Sequence, residues 1–288
     1  MGQESTHATP PQGEPPRGPA TVRCALFVPA SRPERIPKAL NSGADAVIVD
    51  LEDAVEPAAK PAARQALVEF LAAHPQARIW VRVNDATTPW HGDDLAALRG
   101  KAGVAAIMLP KAECAAQAAQ AGAGVPVVPI IESARGLVNV AAIAAAQGVA
   151  RLAFGSLDYG VDLGLAHGSE AEAVLLDQAR GQVLLHSRAA GLPAPLDGVY
   201  PAIDDLDGLQ AAASRASRMG FGGMLCIHPS QVATIRDAFS PAQAEVDWAR
   251  RVLAAASEAG VNAFRFEGQM VDAPVLARAR QVLARAQA

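Results

Sequence analysis

Eight short apolar runs, most of them ending at a charged, amide or imidazole residue, recur along this chain and constrain its fold more than any other feature. They cover 24–28, 46–51, 78–83, 104–109, 125–131, 152–154, 196–200 and 223–227. The clearest is AVIVDLEDAV over 46–55. Four apolar residues, three of them β-branched, run without a polar break into Asp50, Glu52 and Asp53. Such a run reads as a strand buried on both faces of a parallel sheet. Carboxylates placed where a buried strand emerges belong to a site and not to a core.

Ala-rich stretches of helical length separate the runs, at 112–121, 134–147, 170–190, 204–219 and 230–239, and another helix spans 241–260. Pro57 opens a helix that carries Lys60 and Arg64 on one face, and a loop with Trp90 and Asp94 follows the third strand. Eight strands alternating with helices predict an α/β fold, a (β/α)8 TIM barrel. An open doubly wound sheet is the alternative; against it, no G-x-G-x-x-G follows the first strand. Three parts are expected. Residues 1–20, rich in proline, form a disordered tail; 21–260 form the barrel. Residues 261–288, with a turn at Gly268 and a helix after Pro274, form a C-terminal helical lid or arm outside the eightfold count.

Composition excludes several classes. The chain is 51% hydrophobic with a formal net charge of −4, which argues against a nucleic-acid or anionic-membrane surface. No apolar stretch reaches the ~18 residues of a membrane span, and the N-terminus lacks a secretory apolar region. Cys24, Cys114 and Cys226 have no paired C-x-x-C spacing. They predict a reduced, cytoplasmic protein, with Cys24 and Cys226 acting as small hydrophobes in strands.

In a barrel the strand exits share one face, so their polar residues become a constellation: Asp50, Glu52, Asp53, Arg82, Asn84, Lys111, Glu132, Asp158 and His228. Glu132 and Asp158 end adjacent strands. As a pair they suit Mg²⁺, which keeps waters and takes few protein ligands; singly, one caps a helix and the other makes a loop turn. Arg82 can grip a substrate carboxylate with two parallel hydrogen bonds or form an ion pair with Glu52, and the two are compatible. Asp50 and Asp53 read as loop braces. Lys111 reads equally as a solvated helix start or a binding group, and His228 as structural.

The segments LFVPASRPERIPKAL, AVIVDLEDAVEPAAKPAAR, WVRVND, IMLPKAE, VPIIESARGL, FGSLDYGVDLG, IHPSQV and GQMVDAPVLARARQVL keep an order and spacing that resemble the citrate lyase β-subunit-like family of the HpcH/HpaI aldolase superfamily. The resemblance spans about 23–285. It implies a Mg²⁺-dependent barrel, usually a homotrimer, that cleaves or forms a carbon–carbon bond in β-hydroxyacyl-CoA thioesters such as citryl-, malyl- or citramalyl-CoA, releasing acetyl-CoA and an oxo acid. By the same resemblance Glu132 and Asp158 are metal ligands, and Arg82 binds the oxo-acid carboxylate with Glu52 beside it. Asp272 is an acid of the lid that reaches a neighbouring subunit, and Arg23 and Lys38 fall in the thioester-binding region. Two departures, Cys24-Ala25 in the first strand and Met224 before the eighth strand's I-H-P, point away from an ordinary CoA substrate and leave the metal pair intact. Two rival readings remain open: an aldolase on a free 2-oxo acid, and a non-catalytic barrel that binds an acyl thioester.

Overall fold

The structure, a computed structural model, describes residues 18–122, 124–259 and 263–287; the expected tail lies almost entirely outside them. Eight parallel strands pair in chain order: β1 (Cys24–Pro29), β2 (Ala46–Asp50), β3 (Ile79–Arg82), β4 (Val104–Leu109), β5 (Val127–Ile131), β6 (Ala153–Phe154), β7 (Leu196–Asp197) and β8 (Gly223–Cys226). β8 returns to β1 with Leu26 opposite Cys226, so the sheet closes and the open alternative is excluded. Closure needs inward and outward side chains to alternate along each strand. Ala25, Ile48, Trp80, Met108, Ile130, Ala153, Leu196 and Leu225 fill the interior. Their outward neighbours, such as Val47, Val49, Val81, Ile107 and Phe154, pack under the helices in the larger core layer. Both faces are dry, which is why the strands read as unbroken apolar runs.

Two expected loops are helical. Asp94 lies in the helix His91–Leu98, which Trp90 precedes, and GSLDYG opens the helix Ser156–Asp162. In each an acid sits in the first turn, where it faces unpaired backbone N–H groups and the positive end of the helix dipole. The helix expected over 134–147 is two pieces, Ala134–Val138 and Val140–Ala144, separated at Asn139, whose Nδ2 donates to Glu113 O.

Beyond the barrel, β9 (Phe264–Phe266) and β10 (Gln269–Val271) form an antiparallel hairpin. Its turn holds Glu267 and Gly268 at φ 47° and 81°, the left-handed pair that a two-residue hairpin turn requires. The final helix, Ala273–Gln287, packs on Gln243–Ala259. Val246, Ala249, Val252, Val271, Ala279 and Val282 form a small core of their own there. No helix among the described residues is long and apolar enough to cross a membrane.

Candidate active site

The alternation that fills the barrel also builds its exit face. Two residues beyond Ala25, Ile48, Trp80, Ile130, Ala153 and Leu196 come Phe27, Asp50, Arg82, Glu132, Gly155 and Gly198 on the same inward parity. All of these except Asp50 line a cavity of about 60 Å³ that also takes in Ser156, Asp158 and Val199. The structure therefore brings Arg82, Glu132 and Asp158 to one place, with Glu52 and Lys111 hydrogen-bonded or ion-paired to them.

Arg82 does more than pair with Glu52. Asp50 lies opposite it in register, and its carboxylate takes Nε and Nη2 at 2.7 Å each, a side-on fork. Asp50 also accepts from the Glu52 and Ala54 N–H groups, so it braces the loop as expected and anchors the arginine as well. Nη1 stands 3.0 Å from Glu52 Oε2, and the guanidinium lies 4.8 Å from the Phe27 ring centre. Burial works against the Arg82 charge, but the Asp50 hydrogen bonds and the fields of Asp50, Glu52 and Glu132 more than offset it.

Lys111 is a linchpin, although its side chain remains 36% exposed. Its backbone sits at φ 46°, in the left-handed region, which costs a non-glycine residue free energy. From there its N–H donates to Glu132 Oε1 at 2.7 Å, while Nζ reaches Glu52 Oε1 at 2.7 Å. One residue thus ties together two buried carboxylates, Glu52 (4% exposed) and Glu132 (5% exposed).

Glu132 does not cap the following helix; Ser133 does, accepting from Gly136 N–H. Burial first, then the Glu52 and Asp158 charges, raise the Glu132 pKa to about 8, and burial raises that of Glu52 to about 7. Glu52 Oε2 is buried without a hydrogen bond of good geometry, although Arg82 Nη1 is near. Asp158 receives no hydrogen bond among the described residues. Mutually repelling carboxylates with unused lone pairs fit a divalent cation. No group of three His, Cys, Asp or Glu side chains among the described residues could hold a metal alone. The Glu132 and Asp158 carboxylates suit Mg²⁺, which binds through one or two carboxylates plus water and substrate oxygens. Gly155 leaves room for this arrangement: a Cβ there would come within 2.3 Å of Glu132 Oε2.

Lys60, which the sequence places with Arg64 on one helix face, is buried. Its Nζ donates to Leu51 O, Glu52 O and Asn84 Oδ1, clamping the loop that bears Glu52. Asn84 is held in turn by Asp94, which also takes Arg64.

Beside the site, sharing Phe27 as a wall, a cleft of about 410 Å³ is lined by Arg35, Lys38 and His228. His228 caps a short helix, accepting from Ser230 N–H, in line with its structural reading. Arg23 and Asp272 are not brought to this chain's site. Arg23 precedes β1 and so lies at the opposite end of the barrel, bonded to Ser240 Oγ and Arg285 O. Asp272 is exposed at the start of the last helix, accepting from Val275 N–H. Met224 and Cys24 sit in the outer core layer, 3% and 0% exposed, and Ala25 fills the barrel interior. Those departures therefore bear on packing and not on substrate. Cys24 and Cys226 place their sulfurs 3.4 Å apart there, both unexposed.

Residues 23–229 match the HpcH/HpaI aldolase/citrate lyase family model. A citrate lyase subunit beta-like protein of Mycobacterium tuberculosis is 46% identical over 265 residues, 91% of this chain and 94% of the relative. A (3S)-malyl-CoA thioesterase of Cereibacter sphaeroides is 37% identical over 275 residues, 92% of this chain and 95% of that one. Among solved structures, CitE from Mycobacterium tuberculosis in complex with magnesium, acetoacetate and coenzyme A superposes with a TM-score of 0.82 at 42% identity, covering 93% of this chain and 99% of that one. With the closed barrel and the carboxylate cluster at its strand exits, these similarities show that the chain belongs to the HpcH/HpaI aldolase/citrate lyase family and is an enzyme of the lyase type.

Proposed function

We propose that this enzyme is a Mg²⁺-dependent lyase that cleaves or forms the carbon–carbon bond of a β-hydroxyacyl-CoA thioester, yielding acetyl-CoA and a 2-oxo acid. The observation that carries the reading is the junction of two unlike sites: Glu132, Asp158 and Arg82 at the barrel exit, opening beside the cationic cleft of Arg35 and Lys38. Such a cleft suits a phosphorylated, nucleotide-bearing arm, and Lys38 is assigned there; Arg23 is not. CitE bound to magnesium, acetoacetate and coenzyme A supports the same division.

Glu132 and Asp158 would hold the cation. When bound, Mg²⁺ supplies a Lewis acid that lowers the pKa of the substrate hydroxyl and stabilises negative charge on that oxygen. Arg82, with its side-on edge taken by Asp50, has only its end-on edge, Nη1 and the second hydrogen of Nη2, for the substrate carboxylate. Glu52 is assigned a positioning role, holding Nη1 and Lys111. In cleavage the hydroxyl proton passes to solvent water, the bond to the thioester-bearing carbon breaks as the carbonyl of the oxo acid forms, and the resulting enolate carbon takes a proton from an acid. Asp272 of a neighbouring subunit in a homotrimer is assigned as that acid.

The thioesterase relative favours a second reading, hydrolysis of the thioester on the same cation. The test offers malyl-, citramalyl- and citryl-CoA, and in a parallel arm free 2-oxo acids, with Mg²⁺ and follows oxo acid and free thiol separately. Oxo acid without thiol supports the lyase. Thiol without oxo acid replaces it with the hydrolase, and turnover of 2-oxo acids alone replaces it with a CoA-independent aldolase.

A further inference from the structure

The N-terminal end of the barrel, opposite the strand exits, holds a further cavity of about 920 Å³ that the proposed chemistry does not use. Six arginines line it, Arg23, Arg151, Arg188, Arg218, Arg278 and Arg285, against one carboxylate, Glu245. That carboxylate is engaged at its own helix start, where Oε2 accepts from Ala242 N–H. The concentration is unusual in a chain of net charge −4. Outside the cavity Arg64, Arg82, Arg180 and Arg251 meet carboxylates, whereas Arg35 and Arg99 stand without an ion pair among the described residues. Arg151, Arg188, Arg218, Arg278 and Arg285 form no ion pair among the described residues.

Arg151 shows that the cavity has a built base and is not merely a basic rim. It stands just before β6, two residues ahead of the inward Ala153, and is 1% exposed. Its Nε donates to Ala194 O, and its Nη1 to Pro19 O and Val22 O; Nη2 has no hydrogen bond. Gly222 makes room for that nitrogen, since a Cβ there would approach it to 2.6 Å. A guanidinium buried among neutral carbonyls is costly unless an anion compensates it. Asp45, whose field alone supports the Arg151 charge, is already taken by the Arg23 and Cys24 N–H groups and lies 3.7 Å from Arg236.

We propose that this cavity is a binding site for an anion bearing several phosphate groups, seated on Arg151 Nη2 and gripped at the rim by Arg188, Arg218, Arg278 and Arg285. Several unpaired charges spread over such a volume call for several negative charges. Guanidinium forks approaching from different helices match the tetrahedral oxygens of linked phosphates better than one planar carboxylate. The site is separate from the lyase centre, so its ligand acts as an effector or anchor and not as the reacting thioester.

The test is calorimetric titration of inorganic triphosphate into the full chain in EDTA, with orthophosphate and citrate as parallel arms. Saturable binding of one triphosphate per chain is expected, weakening with salt, and orthophosphate should bind at least about tenfold more weakly. Arg188→Gln with Arg218→Gln, both on exposed helix surface, should weaken triphosphate at least about tenfold without changing the melting temperature. This pair decides the question without recourse to Arg151→Gln, which can impair folding. Glu132→Gln with Asp158→Asn should leave triphosphate binding unchanged. The proposal is overturned by absence of saturable binding at millimolar triphosphate, by binding that survives the double arginine variant, by loss in the Glu132/Asp158 variant, or by citrate binding as tightly as triphosphate.

Discussion

A guanidinium has a side-on and an end-on edge, and at Arg82 the fold commits the first to Asp50. Lysine can keep the charge there but not both bonds. Arg82→Lys is expected to lower kcat/KM by about 10²–10³-fold, the range of one lost charge-stabilising donor in a closed site. Turnover within a few-fold of the parent in a steady-state assay would reduce Arg82 to a structural role. Gly155 is the second residue on which the site depends. An alanine methyl at 155 meets Glu132 Oε2 and Cβ at 2.3 and 2.6 Å, so Gly155→Ala must displace the carboxylate. Mg²⁺ affinity, read by calorimetry, should fall by about 10–100-fold, the effect of disturbing a group that orients a ligand. The melting temperature should drop only by an amount equivalent to about 1–3 kcal/mol of overpacking. Arg82 and Glu132 were legible in the sequence because each sits two residues past an inward apolar residue. The Asp50 fork was not, because it depends on the register that sets β2 against β3.

Among the elements, the exit loops are fixed by groups that arrive from other segments. The loop after β2 is held by Lys60 from the following helix and by Lys111 from the β4 exit. The C-terminal arm is organised differently. Its hairpin and helix pack on Gln243–Ala259 through a small core separate from the barrel's, and Asp272 stands exposed at their junction. An acid in that position can serve a neighbouring subunit while capping its own helix. Co-assembly of Asp272→Ala chains with Arg82→Ala chains, each inactive alone, should therefore restore a measurable fraction of activity in mixed oligomers. No recovery in oligomers verified as mixed by mass would remove Asp272 from the neighbour's chemistry.

For the whole molecule, the carboxylate cluster links cation binding to pH and to stability. The Glu132 pKa, raised to about 8, means that the metal-free protein retains a proton that the unfolded chain releases near the ordinary glutamate value. The resulting penalty is absent at low pH and grows as pH rises toward about 8, so the metal-free melting temperature should fall across that interval. Mg²⁺ binds the ionised form. Its apparent affinity should therefore rise with pH by up to about tenfold per unit and level off above about 8. At pH 7, binding should release close to one proton, seen as a dependence of the calorimetric enthalpy on the buffer's ionisation enthalpy. Affinity that stays flat from pH 6 to 8 would mean that Glu132 is ionised before the metal arrives.

The eightfold repeat, the barrel and the polar exits follow from the sequence alone, because a strand buried on both faces must be apolar throughout and can turn polar only where it leaves the sheet. The grouping of Glu132, Asp158 and Arg82 follows from the same rule once the strands are counted. The tertiary structure decided what is set by register and by side chains converging from distant segments. It placed Asp50 against Arg82, gave Lys60 and Lys111 their buried partners, and made a helix of the segment bearing Asp158. It also sent Arg23 to the far end of the barrel, beside Arg151 and arginines from three helices. Sequence periodicity reports which face a residue takes; which end it occupies, and which charge it meets there, depends on closing the sheet.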